Sequence, residues 1–360
     1  FGALPAKLSV LFNFFLANFF MKNFSTYYLL LFIFFLSNSV LAQLQGEYTI
    51  GRKANFTSFT EAIQALQSEG VSGPVTFQVQ PGNYQEKLVL DKIPGSGCES
   101  PIIFTGPADN SFAVVLQSSR SPVLLVNGPD GITFQNITIS GSSRVIYTTN
   151  GTRCFTLENS QVIGTGGELV YAESFENIRS NRHVYQNNTF QNGQVGISKV
   201  NKAAWNPGSP KFDEGLIIKG NKFFGTGIAI SFNGQKDFAV KNNIIKNSFR
   251  AISISNSWYG KEISDNKVSE IRVNNYRGGV IHLDSSAAEK ITGNEVIVSE
   301  GGKGMFITTG KISGEMLIAN NILIAYGHDA RGINFYPITH LLALHVVSNF
   351  DYRIKIFHNW

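Results

Sequence analysis

Charged residues are scarce in this sequence: they make up 15% of its 360 residues, against about 25% in an average domain. The formal net charge is +5 and no cluster of lysine and arginine stands out, so nucleic acid is not an expected partner. Only 2 cysteines are present, which excludes a disulfide scaffold. Apolar residues reach 43%, and this excludes disorder, which requires low hydrophobicity and high charge.

Chemical motifs are also few. Cys98 and Cys154 have no His or Cys neighbour at metal-ligand spacing, so no zinc site is predicted. The sequence leaves open whether the two cysteines pair in an oxidising compartment or stay separate. No nucleophile elbow, phosphate-binding glycine loop or other cofactor motif is found. No cofactor is therefore identified, and calcium stays open without a motif that supports it.

The beginning of the sequence is typical of a secretory signal. A basic segment begins at Met21, an apolar stretch extends from Tyr27 to Leu36, and Val40 and Ala42 occupy positions −3 and −1 of a small-residue cleavage site. We expect residues 21–42 to be the signal peptide and residues 1–20 an upstream translated segment without a structural role. An uncleaved membrane anchor is the alternative. Beyond this segment no apolar run is long enough to span a bilayer, so we expect a secreted or cell-surface protein.

One helix is predicted, close to the start of the mature chain. A capping box begins it at Ser58, apolar residues follow at helical spacing up to Leu66, and Gly70 ends it. Strands are predicted over Val75–Val79 and Leu88–Leu90. A single amphipathic helix before a long series of strands must cover an apolar surface, and the open end of a sheet stack is the expected one.

A repeat fills the rest of the sequence, with centres 22 to 33 residues apart. Each copy has an asparagine with an apolar residue three positions before it and another two positions after it. The copies are centred on Asn188, Asn221, Asn243, Asn266, Asn294 and Asn321. Two earlier copies carry the asparagine one position sooner, at Asn136 and Asn159. Gly or Ala and alternating apolar residues follow most copies.

A period in the twenties with several strands and no helix predicts a coil of stacked parallel strands. Asparagine at a fixed turn tolerates a left-handed backbone, and stacked asparagines can hydrogen-bond along the coil. We therefore predict an all-β solenoid with these asparagines in single file. Residues 43–93 form its N-terminal cap and residues 94–360 its rungs. Ile354–Trp360 matches the beginning of another copy, so we expect the coil to be truncated at its C-terminus.

These features together resemble the right-handed parallel β-helix (pectin lyase-like) superfamily. Phe56–Ile63 and Pro81–Leu88 are similar to the N-terminal unit of pectin methylesterases. The remainder is similar to secreted bacterial surface β-helix repeat proteins. The resemblance implies a right-handed parallel β-helix with an N-terminal capping helix, and structural roles for Tyr84 and Glu86. It does not extend to esterase chemistry, because the Arg-Pro-Trp motif of that family is absent and Asp237-Phe238 matches only one dipeptide.

Catalytic candidates come from the strand after the glycine turn. One alignment turns Ile281 and Leu283 inward and His282 and Asp284 outward, about 7 Å apart along the strand. It also places Ile228 inside and Ala229 outside. Phe306, Asn334 and Tyr336 would then follow on later rungs, and aromatic or basic residues in loops add further candidates for sugar contact: Trp205, Tyr276 and Arg277. A one-residue shift would reverse every side chain, and an ordinary solvated face is the alternative.

Two functions fit these observations. The first is a secreted carbohydrate-active protein, a lyase or hydrolase of acidic polysaccharide, and the second is a non-catalytic surface protein that binds glycan or serves adhesion. A polysaccharide is the expected partner in both, and we expect a monomer. Arg250, Lys303 and Arg331 each directly precede the Gly or Ala of the turn and are candidates for a basic row. Like charges at a corner also keep a solenoid soluble, so this row does not decide between the two functions.

Overall fold

The computed structural model describes residues 43–205, 211–271, 279–299, 304–309, 314–329, 332–334, 342–346 and 352–357. Its strands lie in one compact unit, Leu44–Trp360. In this part of the chain there is one α-helix, α1 (Phe59–Glu69), and one short 3-10 helix (Lys202–Trp205). None of the helices in the described ranges has the length and apolar character needed to cross a membrane.

Three long sheets account for nearly all strands. Sheet A contains β1 (Leu44–Ile50), β2 (Val71–Val79), β5 (Ile102–Thr105), β8 (Ile132–Gln135), β11 (Thr156–Glu158), β14 (Val184–Gln186), β18 (Ile217–Lys219), β22 (Ala239–Lys241), β25 (Gly260–Ser264), β28 (Ala288–Thr292), β31 (Gly314–Ala319) and β35 (Tyr352–Phe357). Sheet B contains β3 (Gly82–Gln85), β6 (Val114–Gln117), β9 (Thr138–Ser140), β12 (Gln161–Ile163), β15 (Thr189–Gln191), β19 (Lys222–Phe224), β23 (Ile244–Lys246), β26 (Lys267–Ile271), β29 (Glu295–Ser299), β32 (Ile322–Asp329) and β33 (Gly332–Asn334). Sheet C contains β4 (Leu88–Leu90), β7 (Leu124–Asn127), β10 (Ile146–Thr149), β13 (Glu168–Ser174), β16 (Val195–Asn201), β20 (Ile228–Asn233), β24 (Arg250–Ser255), β27 (Ile281–Asp284), β30 (Met305–Thr309) and β34 (Leu342–Val346). A separate pair is formed by β17 (Asp213–Glu214) and β21 (Gln235–Lys236).

The chain passes from sheet A to sheet B to sheet C and then begins the next rung. Strands pair in parallel with their counterparts one rung away, and the antiparallel pair of β32 and β33 is an exception. This is a right-handed parallel β-helix, as predicted. Ile356 lies opposite Ile318 in sheet A, so β35 adds a strand to this sheet as far as Phe357.

The core consists of inward rows in which each side chain lies on its counterpart one rung away. Phe77 and Phe104 stack with ring centroids 4.9 Å apart, and Phe104 and Phe134 repeat that distance. Phe190 and Phe223 stack in sheet B at 4.8 Å. All five rings are fully buried. Because parallel strands lie about 4.8 Å apart, identical rings on successive rungs meet face to face.

Helix α1 covers the N-terminal end of the coil, as predicted. Ser58 Oγ accepts a hydrogen bond from Glu61 N at 3.1 Å, and Gly70 ends the helix at φ 74°. Phe59 is fully buried, with its ring centroid 5.8 Å from that of Phe104. The Glu86 carboxylate accepts from Thr60 N at 2.8 Å. This bond satisfies a free N–H of the first helical turn, so Glu86 has the structural role that the resemblance implies.

The predicted asparagine ladder is present, and all six members are buried. Asn243 shows the pattern: its Oδ1 accepts from Asn221 N at 2.9 Å and from Asn221 Nδ2 at 3.1 Å. Its own Nδ2 donates to Asn266 Oδ1 at 2.9 Å and to Ile218 O at 3.0 Å. Asn243 thus bonds to the backbone and the side chain of the preceding rung and to the asparagine side chain of the following rung.

The predicted reason for asparagine at the turn is wrong in one respect. The ladder asparagines do not adopt the left-handed backbone; the residue directly before each of them does. These residues are Asn187, Gly220, Asn242, Asp265, Gly293 and Asn320, with φ between 54° and 67°. The displaced asparagines of the first two copies, Asn136 and Asn159, occupy this left-handed position, which explains their offset of one residue.

The two cysteines form a disulfide in this structure. Cys98 and Cys154 are 56 residues apart, with Cα atoms separated by 5.6 Å. Cys98 lies before β5 and Cys154 lies before β11, two rungs further along sheet A. The bond therefore links turns of different rungs near the N-terminal end and settles the alternative that the sequence left open.

Candidate functional site

The outer face of sheet C carries a continuous row of polar and aromatic side chains. Strand pairing places these residues opposite one another on successive rungs, and they are partly or largely buried. We call them the sheet C row: Tyr147, Tyr171, Ser198, Ser231, Ser253, His282 and Phe306. At about 4.8 Å per rung, the row is roughly 29 Å long. It is long and narrow, unlike a closed pocket.

The structure places both predicted catalytic candidates on this outer face. In β27, Ile281 and Leu283 are fully buried, whereas His282 is half-buried and Asp284 is exposed. The Asp284 carboxylate accepts a hydrogen bond from the Thr308 hydroxyl at 2.9 Å. The alternative register, with both side chains directed inward, is therefore excluded. Catalytic roles for His282 and Asp284 stay predictions.

Phe306 lies beside His282, with ring centroids 5.2 Å apart and ring planes inclined by 61°. The predicted continuation of the row to Asn334 is wrong. Asn334 ends β33, which turns back antiparallel to β32. The strand that follows β30 in sheet C is β34, and it sets Ala343 opposite Phe306. Tyr336 lies outside the described residues.

Several other predicted residues cannot be assigned to the face. Trp205 ends the 3-10 helix, and its side chain is not among those described. Tyr276, Arg277, Lys303 and Arg331 also lie outside the described residues. Their proposed contacts with sugar or with one another stay predictions.

The predicted alignment of β20 is wrong. Ile228 is half-buried opposite Arg250, and Ile230 lies opposite Ile252. Ala229, expected outside, is fully buried. Two consecutive residues, Ala229 and Ile230, are both buried, and the second and third residues of the neighbouring strands β16 and β24 are buried in the same way. Strict alternation does not foresee such a pair.

The most densely hydrogen-bonded group on the described part of this face carries no sequence motif and was not predicted. The Glu173 carboxylate accepts hydrogen bonds from the Tyr147 hydroxyl, from Thr149 Oγ1 at 3.2 Å and from the Tyr171 hydroxyl at 3.3 Å. Lys202 Nζ pairs with it at 2.7 Å. We call these five residues the Glu173 cluster. The available signal was a tyrosine after an apolar residue at the same place in two successive repeats.

The cluster holds an ionised carboxylate at neutral pH. Burial by itself raises the pKa of Glu173, but hydrogen bonds from Lys202 and Tyr147 outweigh it and hold that pKa below its ordinary value. Burial also raises the pKa of the Tyr147 and Tyr171 phenols, so both remain donors. A carboxylate with its oxygens occupied by these donors is poorly suited to accept a proton from a substrate. Glu173 therefore fixes the position of the two rings.

The two tyrosine rings form a small platform. Their centroids are 5.4 Å apart and their planes are inclined by 51°. Arg144 lies over Tyr171, with Cζ 4.4 Å from the ring centroid, and also pairs with Glu168 at 3.4 Å. Rings of this kind stack on the apolar face of a sugar, while phenols and guanidinium groups hydrogen-bond to its hydroxyls.

A second polar group lies inside the coil, where apolar residues are expected. Lys199 belongs to an inward row of sheet C, and its Nζ pairs with Asp213 at 3.2 Å. Both residues are at most 1% exposed. Asp213 also accepts from Ser174 Oγ at 2.7 Å. Burial lowers the pKa of Lys199, and the charge of Asp213 opposes this. The pair joins the two ends of the insertion between sheets C and A.

His183 also lies inside the coil and is fully buried. Its Nε2 is 2.8 Å from Thr152 O and its Nδ1 is 3.3 Å from the Tyr185 hydroxyl. Burial, and then the positive charge of Lys199, hold the pKa of His183 well below its ordinary value. The imidazole is therefore neutral at neutral pH, and its burial keeps it from contact with a substrate on the outer face.

Comparison with known proteins places the chain among β-helix proteins. Residues 134–332 match the family model described as "Periplasmic copper-binding protein (NosD)". Similar solved structures include a pectin methylesterase from carrot, at 10% identity over 87% of this chain and 85% of that chain, with a TM-score of 0.35. An alginate lyase from Paenibacillus sp. shows 13% identity over 83% of this chain and 93% of that chain, with a TM-score of 0.43. No curated protein matches.

Proposed function

Because the chain belongs to the NosD family of right-handed parallel β-helix proteins, we propose that it is an exported protein that binds polysaccharide along the outer face of sheet C. The observation that carries the proposal is the sheet C row. It has aromatic rings towards both ends, Tyr147 and Tyr171 at one and Phe306 at the other. Serine hydroxyls lie between them. An extended polymer with apolar ring faces and many hydroxyls is complementary to such a row.

Binding is favoured over catalysis by the state of the carboxylates. Hydrolysis of a glycosidic bond uses two carboxylates at a defined separation, and a lyase needs a free base near an acidic sugar. On the described part of the sheet C face, Glu173 is occupied by its donors, while Asp284 is exposed and accepts one hydrogen bond, from the Thr308 hydroxyl to Oδ1. With Glu173 occupied, Asp284 has no second free carboxylate to act with in the Glu173 cluster. A lyase or hydrolase centred on His282 and Asp284 is the second candidate function, favoured by their shared outward orientation.

The copper in the family's description does not fit the residues that the structure describes. Copper favours thiolate, thioether and imidazole ligands. Cys98 and Cys154 are joined in a disulfide, and Met305 and Met316 are fully buried. In the described ranges, no three His, Cys, Asp or Glu side chains are grouped so that they could hold a metal ion. We therefore assign copper no part in the proposed function.

Export is part of the proposal and has two supports. Disulfides form and persist in oxidising compartments, which suits the bond between Cys98 and Cys154. The second support is the predicted signal peptide, which lies outside the described residues. N-terminal sequencing of the exported protein tests this part: a mature chain that begins near Gln43 is expected, and retention of residues 21–42 would contradict it.

The test of the proposed surface is glycan binding by single-site variants. We expect calorimetry with a panel of neutral and acidic oligosaccharides to find a ligand for the wild-type protein. Tyr171→Ala and Phe306→Ala should each weaken its binding about tenfold, since loss of a stacking contact costs on the order of 1 kcal/mol. Phe224→Ala is the matched control, because Phe224 is a half-buried ring on the outer face of sheet B. Thermal unfolding checks that each variant folds.

Two outcomes would overturn this assignment: unchanged affinity in both sheet C variants, or equal weakening in Phe224→Ala. The same samples separate binding from catalysis. Unsaturated products and new reducing ends are assayed for the wild type, His282→Ala and Asp284→Ala. Turnover that disappears in these variants would replace the binding function by the second candidate.

A further inference from the structure

A cleft of about 760 Å³ lies among the turns that lead from sheet C to sheet A near the N-terminal end. Its wall is built by successive rungs, with Lys92 from the turn after β4, Asp130 after β7, Arg153 after β10 and Arg179 after β13. We call it the turn cleft. Its volume falls in the range of small-molecule sites. None of the residues singled out in the sequence contributes to it.

The cleft is held in shape before any ligand binds. The disulfide of Cys98 and Cys154 joins two of its turns. Asp130 fixes Arg153 by a backbone hydrogen bond at 2.8 Å and a guanidinium bond at 2.9 Å. Gly151 has a φ of 77°, and a side chain there would meet Ile178 at 2.6 Å. A rigid cleft loses little entropy on binding.

Charge and chemistry define the ligand. The lining contains four cationic residues and two carboxylates. The Asp130 carboxylate forms an ion pair with the Arg153 guanidinium, and Glu176 Oε1 lies 3.9 Å from Lys211 Nζ. Lys92 is exposed and forms no hydrogen bond or ion pair with the described residues. The lining therefore keeps a positive excess that is available to an anionic group.

The remaining lining suits a sugar ring. Ile178 is 43% exposed, an apolar contact in an otherwise polar wall. Asn150 and Asn177 also line the cleft. Asn150 Nδ2 donates to Asn127 Oδ1 and Asn177 Oδ1 accepts from Lys211 Nζ, so the Asn150 oxygen and the Asn177 nitrogen are the groups that face a ligand. Amides pair with hydroxyls, and an exposed aliphatic side chain covers the apolar face of a pyranose. A simple inorganic anion would use neither feature.

We infer that the turn cleft is a second carbohydrate site, which binds a carboxylated sugar residue with Lys92 and Arg179 facing the carboxylate. The inference rests on the proposed function only for the carbohydrate nature of the ligand. It adds a site away from the sheet C row and an acidic substrate class. Arg179 Nη1 donates to Phe212 O at 3.0 Å and lies 3.8 Å from Glu214 Oε1. Both contacts hold the guanidinium through the same nitrogen, so Nε and Nη2 face the ligand.

The test uses trimers of galacturonate, mannuronate and glucuronate, each beside its methyl ester. The ester keeps the sugar and removes only the charge. We expect calorimetry to show at least tenfold tighter binding of one acid than of its ester, with affinity that falls as salt increases. Lys92→Glu should abolish this preference. Lys261→Glu is the matched control, because Lys261 is exposed on sheet A and the change in net charge is the same.

The outcomes separate this inference from the proposed function. Loss of acid binding in Lys92→Glu together with retention in Tyr171→Ala supports the turn cleft. Loss in Tyr171→Ala alone leaves the sheet C row as the acidic site and overturns the inference. Equal affinity for acid and ester, no binding of any of the three acids, or equal loss in Lys261→Glu also overturns it. Arg179→Gln, with thermal unfolding as a check, gives a second variant with the same expected direction.

Discussion

The N-terminal and C-terminal rungs form the same coil but are held together by different side-chain interactions. In sheet A the N-terminal rungs stack Phe77, Phe104 and Phe134, whereas the same inward row continues later with aliphatic residues such as Ile218 and Val240. The N-terminal rungs have a disulfide and lack asparagine at the ladder position. The C-terminal rungs have the asparagine ladder.

The difference shows that neighbouring rungs of a solenoid must be held together, but that different kinds of interaction can do this. Each rung contacts only its neighbours, so stacked rings and a covalent link serve one end while a row of amides serves the other. Ser160 marks the change. Its backbone N–H donates to Asn188 Oδ1 at 2.9 Å, and its own hydroxyl accepts from Ile137 N at 3.2 Å. Ser160 thus continues the ladder by one rung towards the N-terminus, with its hydroxyl in the place of the asparagine amide.

The largest expected effect on stability comes from the disulfide of the N-terminal rungs. Replacement of both Cys98 and Cys154 by serine should lower the free energy of unfolding by about 4 kcal/mol, because the bond closes a long loop in the unfolded chain. Urea denaturation gives this value. Hydrogen exchange should show lost protection in the N-terminal rungs only. Reductant is the control: it should destabilise the wild type and leave the double variant unchanged. Equal loss of protection in the rungs after Asn221 would contradict the division into two regions.

The next effect is at the ladder. Asn243→Ala should cost about 3 kcal/mol, since buried donors of Asn221 and the carbonyl of Ile218 lose their partner. Hydrogen exchange should locate the loss in the rungs around β22 and β25. Asn242→Gly is the matched control: Asn242 is exposed with a φ of 56°, so glycine should be nearly neutral there. Comparable losses in both variants would contradict the separate roles of the two positions.

The smallest effect concerns the boundary between the regions, where His183 is buried. The folded pKa is depressed below the unfolded value of 6.5, so between pH 7 and pH 5 only the unfolded chain takes up the proton. Stability present above pH 6.5 should therefore be lost as the pH falls, by at most about 2 kcal/mol. His183→Gln should flatten this dependence in urea denaturation. His282→Gln, at the surface, should retain it, and an equal flattening would contradict the assignment.

The sequence predicted the ladder because a short motif repeats often enough to define its own register. The outward orientation of His282 followed from alternation within a strand of four residues. Lys199 could not be predicted, since alternation alone does not tell which lysine points inward, and its partner Asp213 follows an insertion. The Glu173 cluster depends on Lys202, which begins that same insertion. Ala229 shows the remaining limit: at the start of a strand two consecutive residues can both be buried, so alternation fails there for one residue.

Two adjacent positions in each repeat are under different structural constraints: the left-handed residue and the ladder asparagine that follows it. The first position responds to backbone conformation, and this chain already carries Asn, Asp and Gly there. The second responds to the amide group itself, and from Asn188 onward it does not vary among the six copies. Homologous coils should therefore exchange residues freely at the first position and rarely at the second.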